Sequence, residues 1–246
     1  MHDVKAVLLV GGLGTRLRSA VPSAPKVLAS VGKRSFLQLL VSQLRSQGIH
    51  RLVMCTGYLA DQIENEFGDG REWDVAIEYS KEERLLGTAG AVKLAARYLT
   101  DDSEFLVMNG DSFLEIDFHN FMEFHRSHDA MATIAVFGVE NTNRYGTVNV
   151  DANGRVEGFA EKTGREVPGL VNGGVYVFNH AVLQFIPEQP ASLEKEIFPR
   201  LLDQGVYAQE QHGMFIDIGT PADYARAQQL CDSLNEAASR RHQSAP

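Results

Sequence analysis

Three glycines fall within four positions, at Gly11, Gly12 and Gly14, and Thr15, Arg16 and, further on, Pro25-Lys26 follow them. Glycines let backbone N–H groups approach an anion closely, and an arginine with a lysine supplies the charge that a triphosphate needs. Two acids, Asp111 in "MNGDS" and Asp217 in "MFIDIGTP", stand at the ends of apolar runs. A mainly parallel sheet presents its ligands at such strand ends. Mg²⁺ takes one or two carboxylates and fills its remaining positions with phosphate oxygens and water. The chemistry this set suits is in-line transfer at phosphorus, where alignment and charge neutralisation matter more than a general base. Alone, the loop reads as a glycine turn and each aspartate as a cap or turn residue; together they favour the functional reading.

Other chemistries fit less well. The dinucleotide fingerprint, begun at Gly12, needs a glycine where Leu17 stands, and the only Gly-Lys, Gly32-Lys33, is followed by Arg34 rather than Ser or Thr. There is no G-x-S-x-G elbow and no D-x-D metal motif. His125 and His128 lack a third ligand candidate and sit among polar residues, so they are expected at the surface.

The elements that must position these residues follow from periodicity. Val4–Val10 reads as a buried strand, with further strands at Arg51–Thr56, Val75–Tyr79 and Phe105–Met108, and helices from Phe36 to an end at Gly48, at Ala60–Phe67 and at Gly90–Leu99. This alternation predicts an α/β fold with a mainly parallel sheet. The second half is richer in strands: Ala132–Val139, Gly146–Val150, Val156–Glu161 and Leu170–Phe178, with Asn153-Gly154 marking a hairpin turn. Helical stretches at Ala181–Phe185 and Leu193–Leu202 lead to strands near Val206–Glu210 and Met214–Ile218. Thr220-Pro221 opens a last helix, and the chain is expected to fray from Ala237.

With 246 residues, 44% hydrophobic and 22% charged, the chain suits a globular protein with a substantial core. A net charge of −9 argues against a polyanionic partner, so nucleic acid and anionic membrane are not expected. Cys55 and Cys231 read as free thiols of a reducing compartment. No signal-like or membrane-length apolar segment is apparent, so a cytoplasmic location is expected.

From Val4 to about Leu230 the chain resembles the sugar-1-phosphate nucleotidyltransferase family, because GGLGTRL, PK, LGTAGA, NGDS, RYG, EK, NGG and FIDIGTP occur in family order. Within it the chain is most similar to D-glycero-α-D-manno-heptose 1-phosphate guanylyltransferases, which make GDP-heptose for surface polysaccharides. The resemblance implies a Rossmann-like, mixed, mainly parallel sheet flanked by helices (GT-A-like) with a small β-rich sugar-binding subregion. One domain of about residues 1–236 is expected, with a nucleotide half to about 130, a sugar-phosphate half beyond it and a flexible tail at 237–246. Mg²⁺ on Asp111 and Asp217 is implied as cofactor. Arg16 is implied as catalytic beside Lys26, which meets the reacting phosphate. Gly11, Gly12, Gly14, Thr15, Gly87, Thr88, Asn109 and Gly110 are assigned to the nucleotide. Tyr145, Gly146, Glu161, Lys162, Asn172 and Gly173 are assigned to the sugar phosphate. Partners are then small molecules, with self-association left open.

Members with this motif frequently carry proline where Leu86 stands, which puts the shape of the base site in question. The length is also expected to leave no room for the β-helical C-terminal domain of longer relatives, and so no acyltransferase activity. Competing readings are an N-acetylmuramate, mannose or glucose 1-phosphate nucleotidyltransferase using UTP, GTP or dTTP, and a catalytically silent nucleotide-sugar-binding regulator.

Overall fold

Apolar residues fill both faces of the central strands, which requires cover on either side of the sheet. The computed structural model describes residues 4–143, 146–160 and 166–240. Its first part runs β1 (Lys5–Leu9), β2 (Ser30–Val31), β3 (Arg34–Ser35), α1 (Phe36–Ser46), β4 (Arg51–Thr56), α2 (Ala60–Phe67), β5 (Ala76–Lys81), α3 (Gly87–Ala95), β6 (Glu104–Asn109), β7 (Ser112–Leu114) and α4 (Phe118–Ser127). It continues with β8 (Ala132–Val139), β9 (Thr147–Val150), β10 (Val156–Ala160), β11 (Gly169–Asn179), α5 (Phe198–Leu201), β12 (Val206–Gln211), β13 (Phe215–Asp217), α6 (Pro221–Gln229) and α7 (Cys231–Ser239).

Nine strands form one sheet, ordered β10-β9-β11-β6-β1-β4-β5, with β8 paired to β11 and β12 to β8. β1, β4, β5 and β6 run parallel to their neighbours, as do β8 and β12, whereas β11 is antiparallel to β6, β8 and β9. The mixed, mainly parallel sheet flanked by helices is the expected fold class. Along β1, Ala6 and Leu8 face one core and Val7 the other; Leu106 and Met108 alternate in the same way with Phe105 and Val107 in β6. Period-two burial therefore holds the strand ends in one plane, where the loops that leave β1, β4, β5 and β6 converge.

Local signals set several boundaries. The Ser35 hydroxyl accepts from Gln38 N at 3.3 Å while Gln38 Oε1 accepts from Ser35 N at 3.1 Å, a reciprocal cap that starts α1. Thr220 caps α6 ahead of Pro221, as expected. The β9–β10 hairpin turns through Gly154 at φ +79°.

Four expectations need correction. α3 begins at Gly87, not Gly90, and Thr88 lies inside its first turn. The stretch beginning at Leu193 opens as a π-helical turn, Leu193–Ile197, before α5. α7 continues to Ser239, with Ala237 and Ala238 buried in the core that contains α1, so the helix does not give way at Ala237. His125 is 3% exposed, its Nδ1 is 2.8 Å from Thr133 Oγ1, and burial pushes its imidazole down to about 4. His128 is half-buried, its ring tilted against those of Phe124 and Tyr207. Both histidines serve packing.

Candidate active site

The glycine loop leaves β1 after Val10, whose N–H donates to Cys55 O at 3.0 Å, and is anchored by Leu17, 1% exposed. Gly14 has φ +58° and precedes the single turn Thr15–Leu17. A Cβ on Gly14 would stand 3.0 Å from Lys26 Cβ, so glycine at this left-handed position lets the loop lie against the lysine stem. Lys26 opens the next short turn, and its Nζ lies 2.6 Å from Asp111 Oδ2.

Asp111 follows β6 after Gly110, and β7 behind it pairs antiparallel with β13 so that Ser112 faces Asp217. Ile218 N donates to Asp111 O at 2.9 Å, which locks the two acids side by side. Asp217 accepts from Gly219 N. Burial, and secondarily the charge of Asp111, raises the Asp217 carboxyl above its ordinary value, against the opposing pull of Lys26 and the Gly219 N–H. Among the described residues no group of three or more His, Cys, Asp or Glu could hold a metal. Two adjacent carboxylates still suit a cation that keeps most of its positions for phosphate and water.

An open cleft of about 490 Å³ joins these parts. It is lined by Gly11, Gly12, Gly14, Thr15 and Arg16, by Lys26, Asn109 and Asp111, and by Gly87 and Thr88. Gly87 has φ +72°, and a Cβ there would lie 2.5 Å from Ala191 O, the carbonyl that accepts from Ala89 N at the start of α3. Gly110 is packed instead: its Cβ would meet Leu9 O at 2.7 Å. Arg18 leaves the cleft and lies over the Tyr58 ring at 5.3 Å. Cys55 lines the cleft, but burial, with the charge of Glu82, pushes its thiol up to about 12, so it stays protonated and inert.

Gly146, beside β9, and Asn172 and Gly173, in β11, lie on the other side of β6. Thr147 pairs with both Ala160 and Val171, which brings Gly146, the end of β10 and Asn172 together. A Cβ on Gly146 would lie 3.2 Å from Ala160 O. β11 bulges against β8 between Asn172 and Tyr176, and Asn172 accepts from Gly174 N at 2.8 Å. Gly173 is buried against Leu114 and Ala135. Tyr145, Glu161 and Lys162 lie outside the described residues.

Two acids escaped sequence reasoning, Glu82 in the cleft and Glu194 outside its lining. Glu82 lines the cleft one residue past β5, and its Oε2 accepts from Leu86 N at 3.0 Å. A proline at position 86 has no N–H to give, so Leu86 provides a tether that proline would remove. Burial raises the Glu82 carboxyl, against the Leu86 N–H. Glu194, in the π turn, accepts from Thr88 Oγ1 at 2.9 Å. The signal for Glu82 was available, since it ends a strand parallel to those that deliver the glycine loop and Asp111.

A glycine loop and an acid at the carboxyl ends of parallel strands, with a cation and a second acid beside them, make an α/β protein built to handle phosphates. The chain belongs to the nucleotidyl transferase family, which matches residues 5–233. It is similar to mannose-1-phosphate guanyltransferase beta-B of Xenopus laevis, 38% identical over 225 residues, covering 90% of this chain and 62% of that protein. It is also similar to mannose-1-phosphate guanylyltransferase of Mycobacterium tuberculosis, 38% identical over 229 residues, covering 92% of this chain and 64% of that protein. The chain thus spans less than two thirds of these curated relatives. Among solved structures, HddC from Yersinia pseudotuberculosis complexed with GMP-PN superposes with a TM-score of 0.81 at 32% identity, covering 92% of this chain and 98% of that one. No described helix is long and apolar enough to cross a membrane.

Proposed function

We propose that this chain is a sugar-1-phosphate guanylyltransferase: a phosphate oxygen of the sugar 1-phosphate attacks the α-phosphorus of GTP, the bond to the β-phosphate oxygen breaks, and GDP-sugar and pyrophosphate leave. The observation that carries the reading is the Lys26–Asp111 contact at 2.6 Å beside Asp217, facing a glycine-loop cleft. The attacking phosphate is already ionised, so the chain needs to align and neutralise rather than abstract a proton. In this scheme the N–H groups of Gly11 to Thr15 cradle the triphosphate, Arg16 meets the departing pyrophosphate and Lys26 the reacting phosphate. Asp111 and Asp217 would hold Mg²⁺, which supplies charge neutralisation at the α-phosphate when bound. Gly87, Thr88 and Asn109 face the nucleoside, while Gly110 and Gly173 shape the backbone beneath.

Guanine is supported by the GMP-PN complex of HddC and by the guanylyltransferase relatives. Glu82 adds chemistry to match: guanine offers N1–H and an amino group side by side, and a carboxylate accepts both. On the sugar side, Tyr145, Gly146, Glu161, Lys162 and Asn172 are assigned to D-glycero-α-D-manno-heptose 1-phosphate. The second reading, mannose 1-phosphate, is favoured by the relatives named above; the two sugars share the manno configuration and differ beyond C6. The chain is then one domain, with the nucleotide bound by about residues 1–130 and the sugar by about residues 131–236.

A matrix of nucleoside triphosphates against sugar 1-phosphates, read by pyrophosphate release with Mg²⁺ and with chelator, tests this. GTP with a manno-configured sugar should lead by ~10²-fold over UTP and dTTP, the scale of two or three kcal/mol of unmade hydrogen bonds. Preference for UTP or dTTP overturns guanylyl transfer, and mannose 1-phosphate outrunning the heptose overturns the first sugar reading.

A further inference from the structure

A chain of side-chain hydrogen bonds passes behind the cleft and joins its two sides. Thr88 Oγ1, in the first turn of α3, donates to Glu194 Oε2 at 2.9 Å and accepts from Leu193 N at 2.8 Å. Ser192 Oγ donates to the same Oε2 at 2.8 Å, and Tyr176 OH donates to Oε1 at 3.4 Å. Tyr176 OH in turn accepts from Asn172 Nδ2 at 3.0 Å. Three hydroxyls from three segments therefore converge on one carboxylate, held in a π turn whose widened backbone reaches toward the sheet.

Tyr176 is fully buried in β11 and packs on Phe178 and Phe198, so its ring has no freedom to follow a ligand. Burial, with the Glu194 charge, holds its phenol well above the ordinary range, against hydrogen bonds from Asn172 and Asn109. The hydroxyl is thus a fixed donor toward Glu194 and a fixed acceptor toward the carboxamides. Asn172 is doubly constrained, with Nδ2 on Tyr176 and Oδ1 on Gly174 N at 2.8 Å. Among the described residues Asn109 Oδ1 is buried with no partner, while its residue lines the cleft. A buried acceptor without a partner is costly unless a ligand donates to it.

We propose that Tyr176 and Glu194 are positioning residues that fix the Asn172 carboxamide on the sugar-phosphate side of the cleft. Neither lines the cleft. Their effect is to deny this carboxamide the flipped rotamer that would present the wrong atom, and it rests on the reading that Asn172 faces the sugar phosphate.

Tyr176→Phe keeps the ring and removes the hydroxyl, and Glu194→Gln keeps the shape and weakens the acceptor. Steady-state kinetics with each substrate varied in turn, alongside melting temperature, reads the outcome, with Asn172→Ala as the control for the site itself. Tyr176→Phe should raise KM for the sugar 1-phosphate about tenfold, as for one lost hydrogen bond, with KM for GTP changed less than about twofold. Glu194→Gln should shift the same constant in the same direction by less, and it carries the test alone if Tyr176→Phe does not fold. Equal changes in both KM values, or a lowered melting temperature with unchanged kinetics, overturn the positioning role. If Asn172→Ala raises the sugar KM and neither other variant does, the relay is wrong and the site reading stands. If Asn172→Ala leaves it unchanged, the site reading falls and the relay with it.

Discussion

Lys26 and Asp111 meet at 2.6 Å with the lysine as the more buried partner, 10% of its side chain exposed against 39% for the aspartate. The base of the lysine side chain lies against the glycine loop, where a Cβ on Gly14 would stand 3.0 Å from Lys26 Cβ. The carboxylate keeps access to the cleft. A lysine fixed by packing and an acid left facing solvent divide the work: one supplies a cation, the other remains open to one.

Asp111→Asn and Asp217→Asn should each lower kcat by ~10²-fold or more, the cost of losing preorganised charge stabilisation. Circular dichroism should show the fold retained, since both residues lie partly exposed. Excess EDTA should abolish turnover and added Mg²⁺ restore it. Turnover within a few-fold of the parent in either variant, or in chelator, contradicts the assignment.

Glu82→Gln keeps an oxygen to accept from Leu86 N but replaces an acceptor with a donor. If Glu82 reads the guanine amino group, kcat/KM for GTP should fall by ~10-fold or more, the range of a hydrogen bond to a charged group. Inosine triphosphate lacks that amino group and should lose less. The measurement is the GTP-to-ITP ratio of specificity constants; an unchanged ratio means that Glu82 only shapes the loop.

His125 gives the pH dependence of stability. Its folded value is pushed down to about 4 from 6.5 by burial, so between these values the unfolded chain binds the extra proton. Stability should therefore be fully present above the unfolded value and decline as pH falls toward 4, by at most about 3 kcal/mol on the scale of 1.36 kcal/mol per unit. Urea midpoints from pH 7 to pH 4 should fall less steeply in His125→Gln, which retains a partner for Thr133. Parallel slopes in the two proteins would falsify the attribution.

Much of the fold was legible because its signals are local. Arg51–Thr56, Ala60–Phe67 and Ala132–Val139 have the boundaries that period and turn residues predict. The glycine loop, Lys26, Asp111 and the cleft beside them were legible too, since strand ends and glycines are written in consecutive residues. What escaped reading depends on distant partners. α3 starts early because Ala191 O accepts from Ala89 N and Gly90 N, a carbonyl from another part of the chain. His125 sits among polar neighbours in sequence, yet Thr133 and β8 bury it. Glu194 shows its role only when Thr88 and Tyr176 are brought beside it.

The ribbon of β7 and β13 has a consequence for how the protein is made. Asp111 is synthesised early and Asp217 late, and they become neighbours only when β13 docks on β7 and Ile218 donates to Asp111 O at 2.9 Å. A nascent chain emerging from the ribosome can build β1, β4, β5 and β6, with the glycine loop and Lys26, while still lacking half of its acid pair. The acid pair is therefore completed only by the last strand to arrive.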